Sequence, residues 1–183
     1  MMRGKILGSL LVAAALSLAD VHAADDRGWF RGPGGDAKDV PERWNTPEWV
    51  MDLVDKKQFD RTYRFITRLN PYYLRGDFNG DGRPDVAVLI ERLSDKKQGI
   101  AIFHFGEPTI RVIGAGHRLN NGVVEFSWMD VWQVYPKMPV GQGVEEGPPP
   151  KLRGEALWVE KSEAFSAIIY WNGKRYVWYQ QGD

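Results

Sequence analysis

The stretch from residue 76 to residue 90 reads GDFNGDGRPDVAVLI and joins an oxygen-rich turn to a run of β-type residues. Counted from Asp77, the first, third, fifth and ninth positions carry side-chain oxygens, in Asp77, Asn79, Asp81 and Asp85. Alternating residues of a tight loop can all turn inward, and Ca²⁺ prefers six to eight oxygen ligands. We therefore predict a calcium loop over residues 77–85, followed directly by a strand over residues 86–92.

The rest of this loop supports the same prediction. The backbone carbonyl of Arg83 would supply one more oxygen, while Gly80 and Gly82 let the chain fold round an ion. The three carboxylates carry a formal charge of −3, so an ion would relieve their mutual repulsion. Because Pro84 and a strand follow at once, we predict one structural Ca²⁺ and not a switch.

An EF-hand is the first comparison, but its twelfth position requires a bidentate Glu, and here that position is Val88. The loop instead resembles the calcium loop of FG-GAP and VCBS repeats, known from integrin α-subunit propellers and many secreted bacterial proteins. The residues that match that pattern are Asp77, Asn79, Asp81, Arg83 and Asp85. The resemblance covers only residues 72–91. No second copy is present, so a propeller of about four to eight blades is not predicted.

The N-terminus has the profile of a signal peptide. Arg3 and Lys5 precede an apolar run over residues 6–19, which is shorter than the roughly 20 residues needed to span a bilayer. Residues 21–23, VHA, offer small side chains for cleavage, and Ala19 is the second choice. The alternative is an anchoring helix. We predict a signal peptide over residues 1–23, a periplasmic or secreted protein, and no membrane anchor after cleavage.

The composition excludes several functional classes. Lys and Arg number 24, as do Asp and Glu, so the basic footprint of a nucleic-acid binder is absent. A hydrophobic content of 43% is too high for a disordered chain. The absence of cysteine excludes disulfides, a cysteine nucleophile and a lipid-modified N-terminal cysteine. We therefore predict a soluble globular protein with no nucleic-acid partner.

The mature chain is predicted to contain a flexible, glycine-rich leader over residues 24–45 and a single domain over residues 46–183. Thr46-Pro47-Glu48 should open a helix that ends near Lys56. The apolar spacing over residues 59–69 is helix-like, although its β-rich residues weaken that interpretation. Prolines and glycines make residues 136–154 a long loop.

Eight segments have β-type patterns, and Asn172-Gly173 should form a tight hairpin between the last two. The predicted strands cover residues 72–75, 86–92, 99–105, 109–113, 123–126, 155–160, 165–170 and 175–180. The expected class is α+β, with a short N-terminal helical region followed by a mostly antiparallel β-sheet.

Three aromatic residues, Trp128, Trp132 and Tyr135, recur at spacings of four and three. Residues 128–135 are ambiguous between helix and strand. On a helix the three rings would form one stripe able to hold a protein partner or a sugar. Core packing is the alternative.

Two histidines remain in the mature chain. His117 lies in a glycine-rich loop and could act as a general base if Asp130 or Glu125 oriented it, which would indicate a hydrolase. The alternative is an exposed loop histidine. His104 should lie on the strand face opposite Phe103, towards solvent.

The function that best suits these observations is that of an exported calcium-binding protein that works by binding another molecule. No catalytic residue is assigned. A protein of the cell envelope is the expected partner, as for an inhibitor or immunity protein against an envelope-targeted enzyme. Residues 136–154 and the Trp128/Trp132 region would form the contact surface. A carbohydrate- or peptidoglycan-binding module and a hydrolase are the alternatives.

Overall fold

The computed structural model describes residues 45–144 and 147–182. The predicted signal peptide and the leader up to residue 44 lie outside the described residues. Helix α1 (Glu48–Lys57) is followed by a 3₁₀ turn (Phe59–Arg61). The strands in chain order are β1 (Tyr63–Phe65), β2 (Tyr73–Gly76), β3 (Asp85–Arg92), β4 (Gln98–Phe103), β5 (Ile110–Gly114), β6 (Val131–Tyr135), β7 (Ala156–Lys161), β8 (Phe165–Trp171) and β9 (Tyr176–Gly182).

The strands form two sheets in which every neighbouring pair is antiparallel. The first sheet, called sheet A, has the order β1-β3-β4-β5, and β2 pairs with β3 further along the edge that β1 occupies. The second sheet, called sheet B, has the sequential order β6-β7-β8-β9. Strand β3 therefore lies in the interior of sheet A and connects the predicted calcium loop to it.

The main core lies between the two sheets. Ala87 and Leu89 of β3 belong to the same buried cluster as Leu157 of β7 and Ile169 of β8. The other side chains of β3 alternate to the opposite face of sheet A, where Ile90 joins a second cluster. Because β3 is buried on both faces, its sequence is a continuous apolar run, as expected for an interior strand.

Each outer face of this sandwich has its own cover. Val50 and Val54 of α1 pack on the outer face of sheet A, and both are buried. Residues 136–154 are here called the strap, and the described ones, 136–144 and 147–154, include residues that pack on the outer face of sheet B. Val140 and Leu152 of the strap pack against Ile168 there. The described part of the strap contains no helix or strand.

The predicted α+β class with one sheet is wrong. The structure is mostly β, with 38% strand and 10% helix, and residues 45–144 and 147–182 contain two antiparallel sheets and one α-helix. The sequence pattern marks strands, but it does not state which strands hydrogen-bond to each other, because pairing depends on distant residues. Residues 59–69, whose apolar spacing is helix-like, instead contain the 3₁₀ turn and strand β1.

Local predictions differ from the structure in other places as well. The cap position of α1 is taken by Pro47 and not by Thr46, and the chain leaves the helix through Gln58 in the left-handed region, at φ 51°. Residues 123–126 form no strand in the structure. The ambiguous segment over residues 128–135 becomes strand β6 from Val131 onward. The predicted turn at Asn172-Gly173, by contrast, is present between β8 and β9, and Gly173 has a φ of +99°.

Candidate functional site

The predicted calcium loop connects β2 to β3 in sheet A. Asp77 follows the last residue of β2, and Asp85 is the first residue of β3. Gly80 and Gly82 have φ angles of +80° and +83°, in the left-handed region that favours glycine. The two glycines let the chain reverse between the strands while its acidic residues turn inward.

The carboxylate of Asp77 lies inside this turn and accepts hydrogen bonds from consecutive backbone N–H groups. Its Oδ1 accepts the N–H groups of Gly80 and Asp81, at 2.8 and 3.0 Å, and its Oδ2 accepts that of Gly82, at 2.9 Å. Asn79 Oδ1 also accepts the Asp81 N–H, at 2.9 Å. The oxygens at the first and third motif positions therefore lie against the same donor.

The fifth motif position, Asp81, is joined to its neighbours on both sides. Its Oδ1 accepts the backbone N–H of Arg83 at 2.8 Å, and its Oδ2 accepts the side-chain amide of Asn79 at 3.1 Å. The Arg83 guanidinium forms an ion pair with the same carboxylate at 3.0 Å and lies over the ring of Phe105. Arg83 thus supplies a positive charge at the rim of the loop.

The ninth position, Asp85, differs from the others because it is fully buried. Its Oδ2 accepts the N–H groups of Phe78 and Asn79, at 2.9 and 3.1 Å, and its Oδ1 accepts that of Phe105, at 2.9 Å. Burial raises the pKa of Asp85 to about 6. The carboxylate therefore joins the loop to the chain segment that follows β4.

These residues fit calcium by donor type and do not converge on one point. The donors are all oxygens, as Ca²⁺ prefers, but Asp77 Oδ1 and Asp85 Oδ2 each already accept two backbone N–H groups. Within residues 45–144 and 147–182, however, no group of three or more acidic or histidine side chains is arranged to hold a metal. The carboxylate of Asp85 accepts hydrogen bonds from backbone amides, and this is one reason why the side-chain oxygens of the loop do not converge on one point.

The last residues of the strap, Arg153 and Gly154, and Glu155, which follows them, lie directly against the loop, a contact that the sequence pattern does not predict. The Glu155 N–H donates to the carbonyl of Asp77 at 2.7 Å, and the Asp77 N–H donates to Glu155 Oε2, also at 2.7 Å. A Cβ added to Gly80 would lie 2.5 Å from the carbonyl oxygen of Arg153. No local sequence signal reports this contact, since more than 70 residues separate its two sides.

The three aromatic residues predicted to bind a partner do not form a stripe. Trp132 is 3% exposed, and its indole N–H donates to the carbonyl of Pro71 at 2.7 Å. Trp128 packs against Phe165, with ring centroids 4.8 Å apart. Tyr135 lies on the other face of β6, because neighbouring positions in a strand alternate between faces.

The residues of the hydrolase hypothesis are not brought together. The His117 ring hydrogen-bonds to the Tyr63 hydroxyl at 2.9 Å. Asp130 instead pairs with Lys161 at 2.9 Å, and Glu125 accepts hydrogen bonds from Ser127. His117 also borders a groove of about 460 Å³ beside β5. Further lining residues are Lys57, Phe59, Tyr63, Pro108, Thr109, Ile110 and Val112.

The expectation that His104 faces solvent is wrong. It lies opposite Phe103, as alternation requires, but that face of β4 meets sheet B and leaves His104 fully buried. Its ring shares hydrogen bonds with the Tyr176 hydroxyl at 2.7 Å and with Glu107 at 3.3 Å. Burial lowers the pKa of His104, and the nearby Arg111 acts in the same direction.

Comparisons with known proteins add no family or relative. No protein-family model, no curated protein and no solved structure matches this chain. Among the described residues, no helix has the length and apolar character needed to cross a membrane.

Proposed function

We propose that this protein is an exported calcium-binding protein that acts by binding a protein partner in the cell envelope. The observation that carries the calcium proposal is the shared Asp81 N–H, which Asp77 Oδ1 and Asn79 Oδ1 both accept. It supports calcium because the side-chain oxygens of the first and third motif positions are already drawn into one turn. The residues proposed to hold the ion are Asp77, Asn79, Asp81, Arg83 through its carbonyl, and Asp85.

The role proposed for the ion is stabilisation of the native fold. Three carboxylates lie within nine residues, and the ion pair from Arg83 reaches one of them. A cation bound by the native state and not by the unfolded chain raises stability by mass action, by about 2.7 kcal/mol at a concentration of 100 times Kd. The loop would then stabilise the junction of β2 and β3.

Melting experiments test the calcium proposal. The melting temperature should rise with millimolar Ca²⁺ and fall again with a chelator, and Asp81→Ala should abolish the difference. Asp52→Ala is the matched control, because Asp52 is an exposed aspartate of α1 and should keep the full response. A wild-type melting temperature that is indifferent to chelator would refute the proposal, as would equal loss of response in both variants.

The strap is the proposed contact surface. Met138 and Val144 are 50% and 54% exposed, more than the other large hydrophobic side chains of the described residues. Exposed apolar residues favour a protein interface when they lie together on one segment. An inhibitor or immunity protein against an envelope-targeted enzyme remains the proposed class. The Trp128/Trp132 region is no longer included, because Trp132 is buried.

A glycan-binding face is the second candidate, and one observation favours it. The rings of Tyr135 and Trp158 are stacked at an interplanar angle of 14° on the outer face of sheet B, and both are only half-buried. Parallel aromatic rings suit the apolar face of a sugar.

Co-elution experiments separate the two candidates. A protein partner should form a stoichiometric complex with the wild type and with Leu93→Asp, a control at another exposed apolar position, but not with Met138→Asp. The glycan candidate instead predicts retention on peptidoglycan that Trp158→Ala abolishes. Absence of any stoichiometric protein complex, or its survival in Met138→Asp, would contradict the proposed surface.

A further inference from the structure

We propose that the groove beside β5 binds a small carboxylic acid with an apolar body, such as an aryl or branched-alkyl acid. The groove has a volume of about 460 Å³, which is within the range of ligand pockets in proteins. Its lining residues belong neither to the predicted calcium loop nor to the strap. The proposal therefore goes beyond the proposed function and does not depend on it.

The floor of the groove is an apolar strip of β5, which is an edge strand of sheet A. Ile110 and Val112 are two positions apart, so they lie on the same face of the strand. Both pack against the apolar cluster under α1, and both remain half-buried. A ligand with an apolar body would remove this remaining surface from water, which favours binding.

Two stacked aromatic rings border the same groove. Phe59 of the 3₁₀ turn lies on Tyr63 of β1, with ring centroids 4.7 Å apart and an interplanar angle of 27°. Phe59 also packs edge-on against Phe103 of β4, at a centroid distance of 6.2 Å, and is buried. The rings are thus held in place before a ligand binds, which reduces the conformational entropy that binding would cost.

Polar groups of the groove include a histidine whose position is fixed. The backbone N–H of His117 donates to the carbonyl of Gly114 at 2.8 Å, so the histidine lies at the C-terminal end of β5. Its ring Nε2 shares a hydrogen bond with the Tyr63 hydroxyl at 2.9 Å, and Nδ1 bonds to no other described residue. Lys57, the last residue of α1, also lines the groove and forms no ion pair with another described residue.

The charge of the groove indicates an anionic ligand. None of the described residues that line it is acidic. Glu107, just before the lining residues of β5, is engaged instead by Arg111, at 2.6 Å, and by His104, at 3.3 Å. Arg111 lies over the ring of Trp171, on the side of sheet A that meets sheet B. An ammonium group without a carboxylate partner in an apolar groove attracts a carboxylate whose remaining atoms are apolar.

Chemical-shift mapping by NMR on the isotope-labelled full-length protein tests the proposal. The probes are phenylacetate, hydrocinnamate and isocaproate, each compared with its primary amide. At least one acid should bind saturably and shift the backbone amides of Ile110 and Val112 and the ring signals of His117, while β7 and β8 stay unchanged. The matching amide should bind about fivefold more weakly, because it has the same shape and no charge.

A pair of neighbouring lysines supplies the matched control. Lys57→Gln should weaken binding of the acid by about fivefold, because it removes the cation from the groove. Lys56→Gln removes the same charge one residue earlier, outside the groove, and should bind the acid as the wild type does. Val112→Trp should abolish binding by filling the floor. If Val112→Trp does not fold, the two lysine variants decide, since both side chains are exposed on α1.

Several results would overturn the proposal. They are the absence of saturable binding by all three acids, equal affinity for an acid and its amide, and shifts confined to residues outside the groove. Equal weakening in Lys56→Gln and Lys57→Gln would also contradict it, because the attraction would then be general to the end of α1. Binding of a peptide that ends in phenylalanine, with no binding of the free acids, would assign the groove to a peptide.

Discussion

The two outer faces of the sandwich are covered in different ways. Sheet A is covered by α1, whose backbone groups bond within the helix and whose Val50 and Val54 point into the cluster below. Sheet B is covered by the described residues of the strap, which include neither helix nor strand and which pack through Val140 and Leu152 and lie against the 77–85 loop at Arg153 and Gly154. Both covers bury apolar side chains, but only the helix brings its own backbone hydrogen bonds.

This difference has a physical consequence. A helix satisfies its backbone internally, so α1 needs only its apolar face to dock. An irregular segment must find partners for its backbone elsewhere: the Gly143 N–H of the strap donates to the Tyr179 hydroxyl, and the N–H of Glu155, just beyond the strap, donates to the carbonyl of Asp77. We therefore expect the strap to detach from sheet B more easily than α1 detaches from sheet A.

The largest effect should come from a charge placed under α1, and a charge placed under the strap is its comparison. Val50→Asp puts a carboxylate in a fully buried site and should cost more than about 3 kcal/mol, because an unpaired buried charge is strongly unfavourable. Val140→Asp, which is 8% exposed, should release the strap and cost about 1 kcal/mol of global stability. Urea unfolding gives the global values, and limited proteolysis reports strap release. Equal losses of unfolding free energy in the two variants would show that α1 and the strap both unfold cooperatively with the two sheets.

A matched pair of cavities sharpens the same comparison. Ile90 and Ile168 are both fully buried, the first under α1 and the second under the strap. Isoleucine to alanine costs about 2–5 kcal/mol, and the cost falls where the surroundings can collapse into the cavity. We expect Ile90→Ala near the upper end and Ile168→Ala near the lower end in urea unfolding. The reverse order would mean that the strap is the more rigid cover.

Acidification should destabilise the protein through His104, which is buried between sheet A and sheet B. The pKa of His104 is lowered in the folded state. On acidification, the unfolded chain therefore binds a proton at this histidine more readily than the native protein does. The free energy of unfolding should therefore decrease as the pH drops below about 6.5, by up to about 1.4 kcal/mol per pH unit from His104. The groups that face His104 are Tyr176, Glu107, Arg111 and, at longer range, Asp81.

The measurement compares the wild type with His104→Gln at each pH. The carboxyl of Asp85 contributes with the opposite sign, because its raised pKa favours the folded state as the pH falls below about 6. That contribution is common to both proteins and cancels in the difference. If the two proteins lose stability in parallel on acidification, His104 is not the group responsible.

The smallest effect should come from an exposed ion pair away from both covers. Lys161 and Asp130 pair at 2.9 Å with 46% and 37% of their side chains exposed. Lys161→Ala should cost less than about 1 kcal/mol in urea unfolding, because water and salt screen such pairs. If Lys161→Ala costs more than this, a loss of about 1 kcal/mol at either cover cannot be distinguished from the effect of a surface substitution.

Sequence reasoning succeeded best where the signal is local. The helix over Glu48–Lys57 was predicted from Thr46-Pro47-Glu48, a proline and an acidic residue at a helix start. The turn at Asn172-Gly173 follows from residues that tolerate a positive φ. The aromatic stripe failed because residues 131–135 form a strand, in which spacings of three and four do not keep Trp132 and Tyr135 on one face.

For the candidate site, the sequence by itself determined which residue types occupy alternate positions of the loop at 77–85, and that an apolar strand follows. Only the tertiary structure decided that two sheets stack, that His104 lies between them, and that Glu155 bonds to Asp77 across more than 70 residues. The reason is physical: alternation and turn chemistry depend on neighbours along the chain, whereas the group that meets each face or backbone amide is set by long-range pairing.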